Sequence, residues 1–301
     1  MPFKNQLHVD QLLSNISVKY KNADYIGDRV FPSLPVKTDS NLYRIFERNF
    51  RVPTTKRANK GLAREHQFEV STASYILQNH AIRDFISDDD LDNYDAANLR
   101  ADTTEELIDV ILRRREVAVA ELFTTTSWSL NVSLASANAF SANTILSNPI
   151  PVFLTGATEI IQNSGHKPNF GILPRDGWVA CVNHTSVLDR IKYVSKEVST
   201  EMLAALFDVG ELLVPTAQQD TSALGATSVI SSIWGDSAFV GFKPERASAK
   251  SPSCGYMFQK EAPSVKRYRE EAREGEWIEV SSKFVPKVVS SLSGFLIKDI
   301  I

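Results

Sequence analysis

The feature that most constrains the fold is a pair of strand-like segments joined by a long basic connection. The first segment covers residues 42–52, and the second, residues 67–77, alternates polar and apolar side chains as a half-buried strand does. The fourteen residues from Pro53 to His66 are polar and basic and are too many for a tight turn. Residues 42–80 are therefore predicted to form a long hairpin that projects from the protein.

The charges of this hairpin and of the segment after it have opposite signs. The hairpin carries Arg44, Arg48, Arg51, Lys56, Arg57, Lys60 and Arg64. The acidic block that follows includes Asp88, Asp89, Asp90 and Asp92. Like charges at this density repel one another unless something neutralises them, so we predict that these residues meet between copies of the chain. Two separate solvated segments are the alternative, because exposed ion pairs contribute only ~0–1 kcal/mol each.

The chain before the hairpin, residues 1–41, has the pattern of an arm. A short amphipathic helix is predicted from apolar residues at helical spacing, Val9, Leu12, Leu13 and Ile16. Pro32 and Pro35 then favour extended backbone. An extended arm cannot bury its own apolar side chains, so it needs a neighbour, which is either the body of the same chain or another subunit.

The strongest helix signal covers residues 103–123. Thr103 and Glu106 have the spacing of a capping box. An apolar stripe follows, made of Leu107, Ile108, Ile111, Ala118 and Leu122. At 1.5 Å per residue the helix is roughly 30 Å long, which suits a structural spine.

The rest of the chain mixes helices and strands. Helices are predicted over residues 153–163, 178–193 and 200–206. Strands are predicted over residues 170–173, 212–214, 229–239, 277–280 and 295–297. This mixed order is typical of an α+β protein.

Residues with the patterns of catalytic or metal sites are few. No phosphate-binding glycine loop or catalytic serine motif occurs. Cys181 and His184 have the spacing of half a zinc site, but no second pair lies nearby, so a buried cysteine beside a helical histidine is preferred. The acidic block starts like a calcium loop, yet Asn93 stands where glycine is required and Leu99 where the bidentate glutamate belongs. We predict no catalytic residue, no cofactor and no metal.

The net charge, the cysteine count and the length of the apolar runs agree with a structural protein. The net charge of -3 argues against tight neutralisation of DNA phosphates. Two cysteines make no disulfide framework and fit a reducing cytoplasm. No apolar run is long enough for a membrane span, so no membrane contact is expected.

Four short motifs follow one another in the second half of the chain. They are Gly165-His166-Lys167-Pro168-Asn169 before an apolar strand, the helix end from His184 to Lys192, Ser232-Ile233-Trp234-Gly235, and Gly294-Phe295-Leu296-Ile297. In this order they resemble motifs of tailed-bacteriophage major capsid proteins with the Hong Kong 97-like fold. The order of the predicted elements is similar over nearly the whole chain. The resemblance implies an N-terminal arm (residues 1–41), an E-loop hairpin (42–80), a P-domain with the spine helix (81–148), an axial A-domain (149–249) and P-domain return strands (250–301).

The resemblance also implies a function and partners. It implies a structural subunit that self-assembles into hexamers and pentamers of an icosahedral shell around phage double-stranded DNA, without sequence-specific binding. A separate scaffolding protein and a portal are expected, and a decoration protein is allowed. Assembly would occur in the bacterial host cytoplasm and the product would be the virion capsid. An isopeptide cross-link is not predicted, because nothing in the sequence identifies its asparagine acceptor.

Two alternatives stay open at this stage. An encapsulin-like compartment shell could use the same fold, and its cargo would distinguish it. A soluble α+β enzyme or binding protein would need a convergent polar site that the sequence does not display.

Overall fold

The computed structural model describes residues 8–9, 25–46, 55–57, 59, 71–93, 98–125, 128–134, 136–192, 198–223, 225–249 and 251–301. Its strands are β1 (His8–Val9), β2 (Ser33–Pro35), β3 (Ser40–Ile45), β4 (Ser71–Ile76), β5 (Gln78–Ser87), β6 (Leu130–Ser133), β7 (Phe170–Ile172), β8 (Leu212–Leu213), β9 (Gln218–Asp220), β10 (Ile230–Ser232), β11 (Ala238–Gly241), β12 (Gly255–Gln259), β13 (Ser264–Glu270), β14 (Gly275–Val288) and β15 (Gly294–Lys298). Its α-helices are α1 (Gly27–Val30), α2 (Asp88–Asn93), α3 (Leu99–Thr125), α4 (Pro149–Ser164), α5 (Arg175–Asn183), α6 (Thr185–Ile191) and α7 (Thr200–Leu206).

The first sheet is built around the long strand β14. It has six strands in the order β1-β13-β14-β12-β2, and β5 also pairs with β14. β5 runs antiparallel to β14 from Gln78 opposite Phe284 to Ser87 opposite Gly275. Because strand side chains alternate between faces, Ile278, Val280 and Phe284 point to one side, where they are buried in the core shared with helix α3.

The second sheet has five strands in the order β6-β15-β11-β7-β8. Its buried strand β11 pairs antiparallel with β15 and with β7. Apolar residues from α4, α5, α6 and α7 form a second core with this sheet, around Phe153, Phe207 and Val240. The sheet takes strands from the predicted 149–249 segment and from both neighbouring segments, so the domain boundaries given above stay a prediction.

Helix α3 joins the two sheets. Its side chains Leu107, Ile108 and Ile111 are buried as predicted, whereas the rest of the buried apolar stripe is Val119, Ala120 and Phe123. The residues predicted there, Ala118 and Leu122, are only partly buried against this core. The ring of Phe123 lies 4.6 Å from that of Phe239, on the second sheet. The spine helix therefore shares one core with both sheets.

Two predicted helix boundaries were wrong. Thr103 is buried inside α3 and does not cap it; the helix begins at Leu99, where the Asn98 side chain accepts a hydrogen bond from the Ala101 N–H at 3.3 Å. The helix predicted over residues 178–193 is two helices, because the chain leaves helical geometry at His184 (φ -71°, ψ 129°). The imidazole of His184 accepts from the Ser186 N–H and so caps the second helix.

The strand predicted around Trp234 is also corrected. β10 ends at Ser232, and the following residues form a turn in which Gly235 has a φ of 59°. Glycine adopts this left-handed conformation without steric cost. The turn places the buried indole of Trp234 against helix α3, in the first core.

The arm packs on its own chain where the structure describes it. Val30 and Phe31 are fully buried, and β2 pairs in parallel with β12. A Cβ at Gly255 would lie 2.4 Å from the Phe31 ring, so only glycine allows this contact. His8–Val9 form a strand, and the rest of the helix predicted from Val9 to Ile16 lies outside the described residues.

Within the described ranges, no helix combines the length and apolar character that crossing a membrane requires.

Candidate functional site

The base of the predicted hairpin is present and anchored on one face. β3 and β4 pair antiparallel from Ser40 opposite Ile76 to Ile45 opposite Ser71. Tyr75 is buried and stacks on Phe258 of β12 with ring centroids 4.6 Å apart, and Tyr43 lies 5.3 Å from the same ring. Aromatic pairs at these distances, the first stacked and the second tilted, add to the stabilisation from buried area. This face fixes the hairpin to the first sheet.

The opposite face of the same hairpin is uncovered. Leu42 is 64% exposed and Ile76 is 68% exposed, and their neighbours on this face, Ser40, Arg44, Thr72 and Ser74, are exposed as well. The face thus presents two apolar side chains and one arginine to solvent. Large apolar side chains grouped on one exposed face are a mark of interaction surfaces.

Asp39 fixes the orientation of the hairpin relative to the first sheet. Its carboxylate accepts hydrogen bonds from Lys260 Nζ at 2.8 Å and Lys283 Nζ at 3.1 Å. Its carbonyl oxygen accepts from the Leu77 N–H, at the end of β4. The hydrogen bond from Lys260, followed by that from Lys283, lowers the pKa of Asp39 below its ordinary value. The carboxylate therefore stays ionised and connected to both lysines at neutral pH.

Three of the seven basic residues predicted at an interface lie in described parts of the hairpin. Arg44, Lys56 and Arg57 are exposed. Arg48, Arg51, Lys60 and Arg64 lie outside the described residues. The exposed basic side chains leave the interface prediction open.

The acidic residues predicted to face them lie on the short helix α2, but they are not equivalent. Asp88 accepts two hydrogen bonds from Arg269 of its own chain, at 3.0 and 2.7 Å, and these lower its pKa. Asp90 accepts from the Ser87 hydroxyl at 2.6 Å. Asp89 and Asp92 are exposed and form no ion pair within the described ranges. The exposed carboxylates with no ion pair among the described residues are therefore Asp89, Asp92 and Asp90, and of these Asp90 is oriented by the Ser87 hydroxyl.

A buried carboxylate on the spine helix anchors the arm, and no motif in the sequence predicts it. Glu116 Oε1 accepts from the Ile26 N–H at 3.0 Å and from Trp234 Nε1 at 2.7 Å, and Oε2 accepts from the Gly27 N–H at 2.7 Å. Burial raises the pKa of Glu116, and these three donors act against that shift. One side chain thus joins the arm, the spine helix and the turn after β10. The only sequence signal was a glutamate next to the apolar stripe.

The cysteine and histidine that resemble half a zinc site have structural roles. His184 is fully buried, and its Nε2 lies 3.1 Å from the Ser147 hydroxyl. Because Nδ1 accepts from the Ser186 N–H, Nε2 carries the proton and donates to Ser147. Cys181 is buried in the second core, and burial raises the pKa of its thiol to about 12. The part of the chain that the structure describes contains no cluster of metal-ligating side chains.

Comparison with known proteins identifies two relatives over most of the chain. The chain is 24% identical over 303 residues to the major capsid protein of Burkholderia phage BcepMu, covering 97% of this chain and 96% of the relative. It is 22% identical to the major capsid protein of Pseudomonas phage JBD67, covering 81% and 80%. No protein-family model matches the chain.

Solved structures give the same fold. A phage-related protein from Bordetella bronchiseptica covers 98% of both chains at a TM-score of 0.79 and 24% identity. The capsid of the cyanophage P-SCSP1u covers 89% of this chain and 85% of its own at a TM-score of 0.60 and 11% identity. The SrpI encapsulin of Synechococcus elongatus covers 93% and 90% at a TM-score of 0.53 and 12% identity.

The fold is α+β and of the Hong Kong 97-like capsid type, as the sequence predicted. The two relatives with which most of the chain aligns are phage major capsid proteins, in agreement with the resemblance seen in the sequence. These homologues are structural capsid proteins and not enzymes, which supports a shell subunit.

Proposed function

We propose that copies of this chain assemble into hexamers and pentamers of a closed icosahedral shell that encloses the double-stranded DNA of a tailed phage. The observation that carries this proposal is the near full-length match to a phage major capsid protein, with 97% of the chain aligned. A hairpin anchored on one face and exposed on the other supports it, since such a projection supplies contact area outside the subunit core.

The requirement for contact area explains why a projection suits this function. Each subunit that joins a shell loses rotational and translational freedom, and buried surface must offset that loss. A stable interface buries about 800 Å² on each partner. A hairpin that reaches over a neighbour provides such area, and Leu42 and Ile76 would form its apolar centre.

Opposite charges would then set the register between neighbours. The exposed Arg44, Lys56 and Arg57 of one copy, together with Arg48, Arg51, Lys60 and Arg64, would face the acidic helix α2 of the next. Asp89, Asp90 and Asp92 would carry most of this attraction, because Asp88 is already paired with Arg269 of its own chain. Exposed pairs contribute ~0–1 kcal/mol each, so several pairs are needed.

The proposal includes the wider setting that the resemblance implied. The segments 1–41, 42–80, 81–148, 149–249 and 250–301 would act as arm, E-loop, P-domain, A-domain and P-domain return. A separate scaffolding protein, a portal and a decoration protein would be the partners. Assembly would take place in the host bacterial cytoplasm and end in the virion capsid, the location that capsid relatives support.

Negative-stain electron microscopy of the purified protein tests the proposal directly. Closed particles of uniform diameter, or rings that close when a scaffolding protein is added, are the expected result. A protein that remains monomeric at high concentration under both conditions would contradict it.

A charge-reversal experiment tests the electrostatic part separately. Arg57→Glu with Lys60→Glu should weaken assembly while the monomer keeps its circular dichroism spectrum. Adding Asp89→Lys with Asp92→Lys should restore assembly, because the same pairs form with signs exchanged. Normal particles from the first variant, or no rescue by the second, would remove the proposed role of these charges.

The encapsulin likeness gives a second candidate function on the same fold, a cellular compartment shell. The contents of native particles distinguish the two functions. Nuclease-resistant DNA inside the particles is expected for a phage capsid, whereas an enzyme cargo without DNA would favour the compartment.

A further inference from the structure

The strand at one edge of the second sheet has an unpaired outer side. β8 is the last strand of that sheet, and among the described strands it pairs with β7 alone. The carbonyl oxygens of Glu211 and Leu213 accept hydrogen bonds from β7 and from the residue after it, at 2.7 and 2.9 Å. In a planar trans peptide the C=O and the next N–H point in opposite directions. The N–H groups of Leu212 and Val214 therefore point away from β7.

These outward groups have no partner within the described ranges. The parallel register turns the Leu213 N–H towards β7, so the Leu212 carbonyl also faces outward. Neither this carbonyl nor the N–H groups of Leu212 and Val214 form a hydrogen bond to any described residue. An unpaired strand edge is a template for one more strand, because another extended backbone offers donors and acceptors at the same spacing. The occupant that fits this edge is an extended polypeptide segment.

The outer edge of β8 lies at the bottom of a groove. The groove has a volume of about 880 Å³, and its walls are helix α7, residues between Val209 and Thr216, and Ile26 and Arg29 of the arm. Leu212 is only 8% exposed although one side of its backbone is unpaired, so the edge is recessed between these walls. The groove therefore admits a single strand but not the edge of a whole sheet.

The charges around the groove indicate what kind of segment it takes. Glu211 forms an ion pair with Arg29 and lies 3.8 Å from Lys243 Nζ, so its charge is already neutralised within the chain. Glu201, on α7, also lines the groove; it is exposed and forms no ion pair with any described residue. A lysine or arginine on the entering segment would complement this carboxylate, because opposite charges across an interface favour the correct partner.

We infer that β8 binds an extended, basic segment of the separate scaffolding protein, which adds a sixth strand to the second sheet during assembly. This inference rests on the proposed function, in which such a protein is a partner. A second copy of this chain fits less well, because each described strand is already built into a sheet of its own copy. Three outward backbone groups make few hydrogen bonds, so a single contact is weak and reversible. Many such contacts on one shell act together, and the partner can still leave afterwards.

Hydrogen–deuterium exchange of the peptide that spans residues 209–216 tests this binding. The samples are the unassembled subunit, shells that contain the scaffolding protein, and the same shells after that protein has been extracted. Exchange should be about tenfold slower only in the shells that contain the scaffolding protein, because strand pairing protects the outward amides.

Each other pattern of exchange would overturn the inference. Protection already present in the unassembled subunit would mean that the chain covers its own edge. Protection that persists in the extracted shells would assign the edge to a neighbouring copy. Equal, fast exchange in all three samples would leave β8 with no occupant.

Two substitutions give a second readout, the amount of scaffolding protein held per shell. Val214→Pro removes one outward donor and leaves the hydrogen bonds to β7 in place, whereas the control Val214→Ala keeps that donor. Shells of the proline variant should hold about fivefold less scaffolding protein than those of the control, the effect of one lost hydrogen bond. Glu201→Lys, which leaves the strand unchanged, should also lower the amount, while Glu261→Lys, an exposed change between β12 and β13, should not.

The outcomes separate this inference from the proposed function. Equal amounts of scaffolding protein in all four variants, or normal shells that form without any separate internal protein, would overturn the inference and leave the capsid function standing. Failure of the unmodified protein to form any shell would contradict the proposed function itself.

Discussion

Replacing Glu116 by alanine should destabilise the subunit by about 3 kcal/mol. The carboxylate is the acceptor for three buried donors, the Ile26 and Gly27 N–H groups and Trp234 Nε1. Each buried donor left without an acceptor costs ~1–3 kcal/mol. We use the lower end of that range for each of the three, because removing the side chain also removes the cost of burying a charge.

Urea unfolding of the unassembled subunit, followed by far-ultraviolet circular dichroism, measures this loss. Glu121→Ala is the matched control, since Glu121 lies on the same helix and forms an exposed ion pair with Arg114 at 3.3 Å. Its loss should stay within ~0–1 kcal/mol. Trypsin should also cleave at Arg29 faster in Glu116→Ala than in the control, because helix α1 loses its anchor. A loss below about 1 kcal/mol with unchanged proteolysis would refute the reasoning.

Three further predictions follow from contacts described above. Tyr75→Ala should lower the free energy of unfolding by about 3 kcal/mol, because a cavity replaces a buried aromatic ring stacked on Phe258. A loss of less than about 1 kcal/mol in a denaturant titration would show that the hairpin base is not anchored there. His184→Asn keeps a helix-capping oxygen but cannot titrate. Since burial lowers the pKa of His184, the stability advantage of the unmodified protein over this variant should shrink as pH falls below about 6.5. A stability difference between the two proteins that does not change with pH would argue against a neutral buried imidazole. Cys181 and Cys254, whose pKa values burial raises to about 12, should resist a thiol reagent at pH 8 until the protein is unfolded, and rapid labelling of the native subunit would contradict their burial.

Periodicity alone identified the elements whose buried faces are made by nearby residues. Helix α7 has the predicted bounds, residues 200–206, because Leu203 and Ala204 face the core within two turns. Helix α4 likewise ends one residue beyond the predicted 153–163 segment, and its C-cap Gly165 adopts a φ of 74°. Such signals need no knowledge of the rest of the fold.

The structural features that could not be predicted from the sequence depend on contacts between residues that are distant along the chain. A fourteen-residue strand β14 was predicted only as the segment 277–280, since Pro286 and the polar residues around it argue against a strand. The structure pairs that proline with Met257, and three neighbouring strands support the whole length. The spacing of Thr103 and Glu106 predicts a helix cap, but Thr103 is buried inside α3, which begins at Leu99.

The predicted interface residues also show which features local sequence reveals and which depend on distant contacts. Local sequence revealed the opposite charges of the hairpin and of α2, but it could not reveal that Arg269, 181 positions from Asp88, already satisfies one of the acidic residues. The anchor at Glu116 depends on backbone groups 89 and 90 positions away. Pairings across such separations become visible only when the chain has folded.

Strand β12 has a mechanical consequence for the whole subunit. One edge of it is paired with β2 of the arm, and its Phe258 ring lies beneath the two tyrosines of the hairpin. A force applied to the arm or to the hairpin therefore acts on the same five-residue strand, Gly255–Gln259. If a neighbouring subunit displaces the hairpin, the displacement would reach strand β2 of the arm through β12, and the second sheet would not be involved.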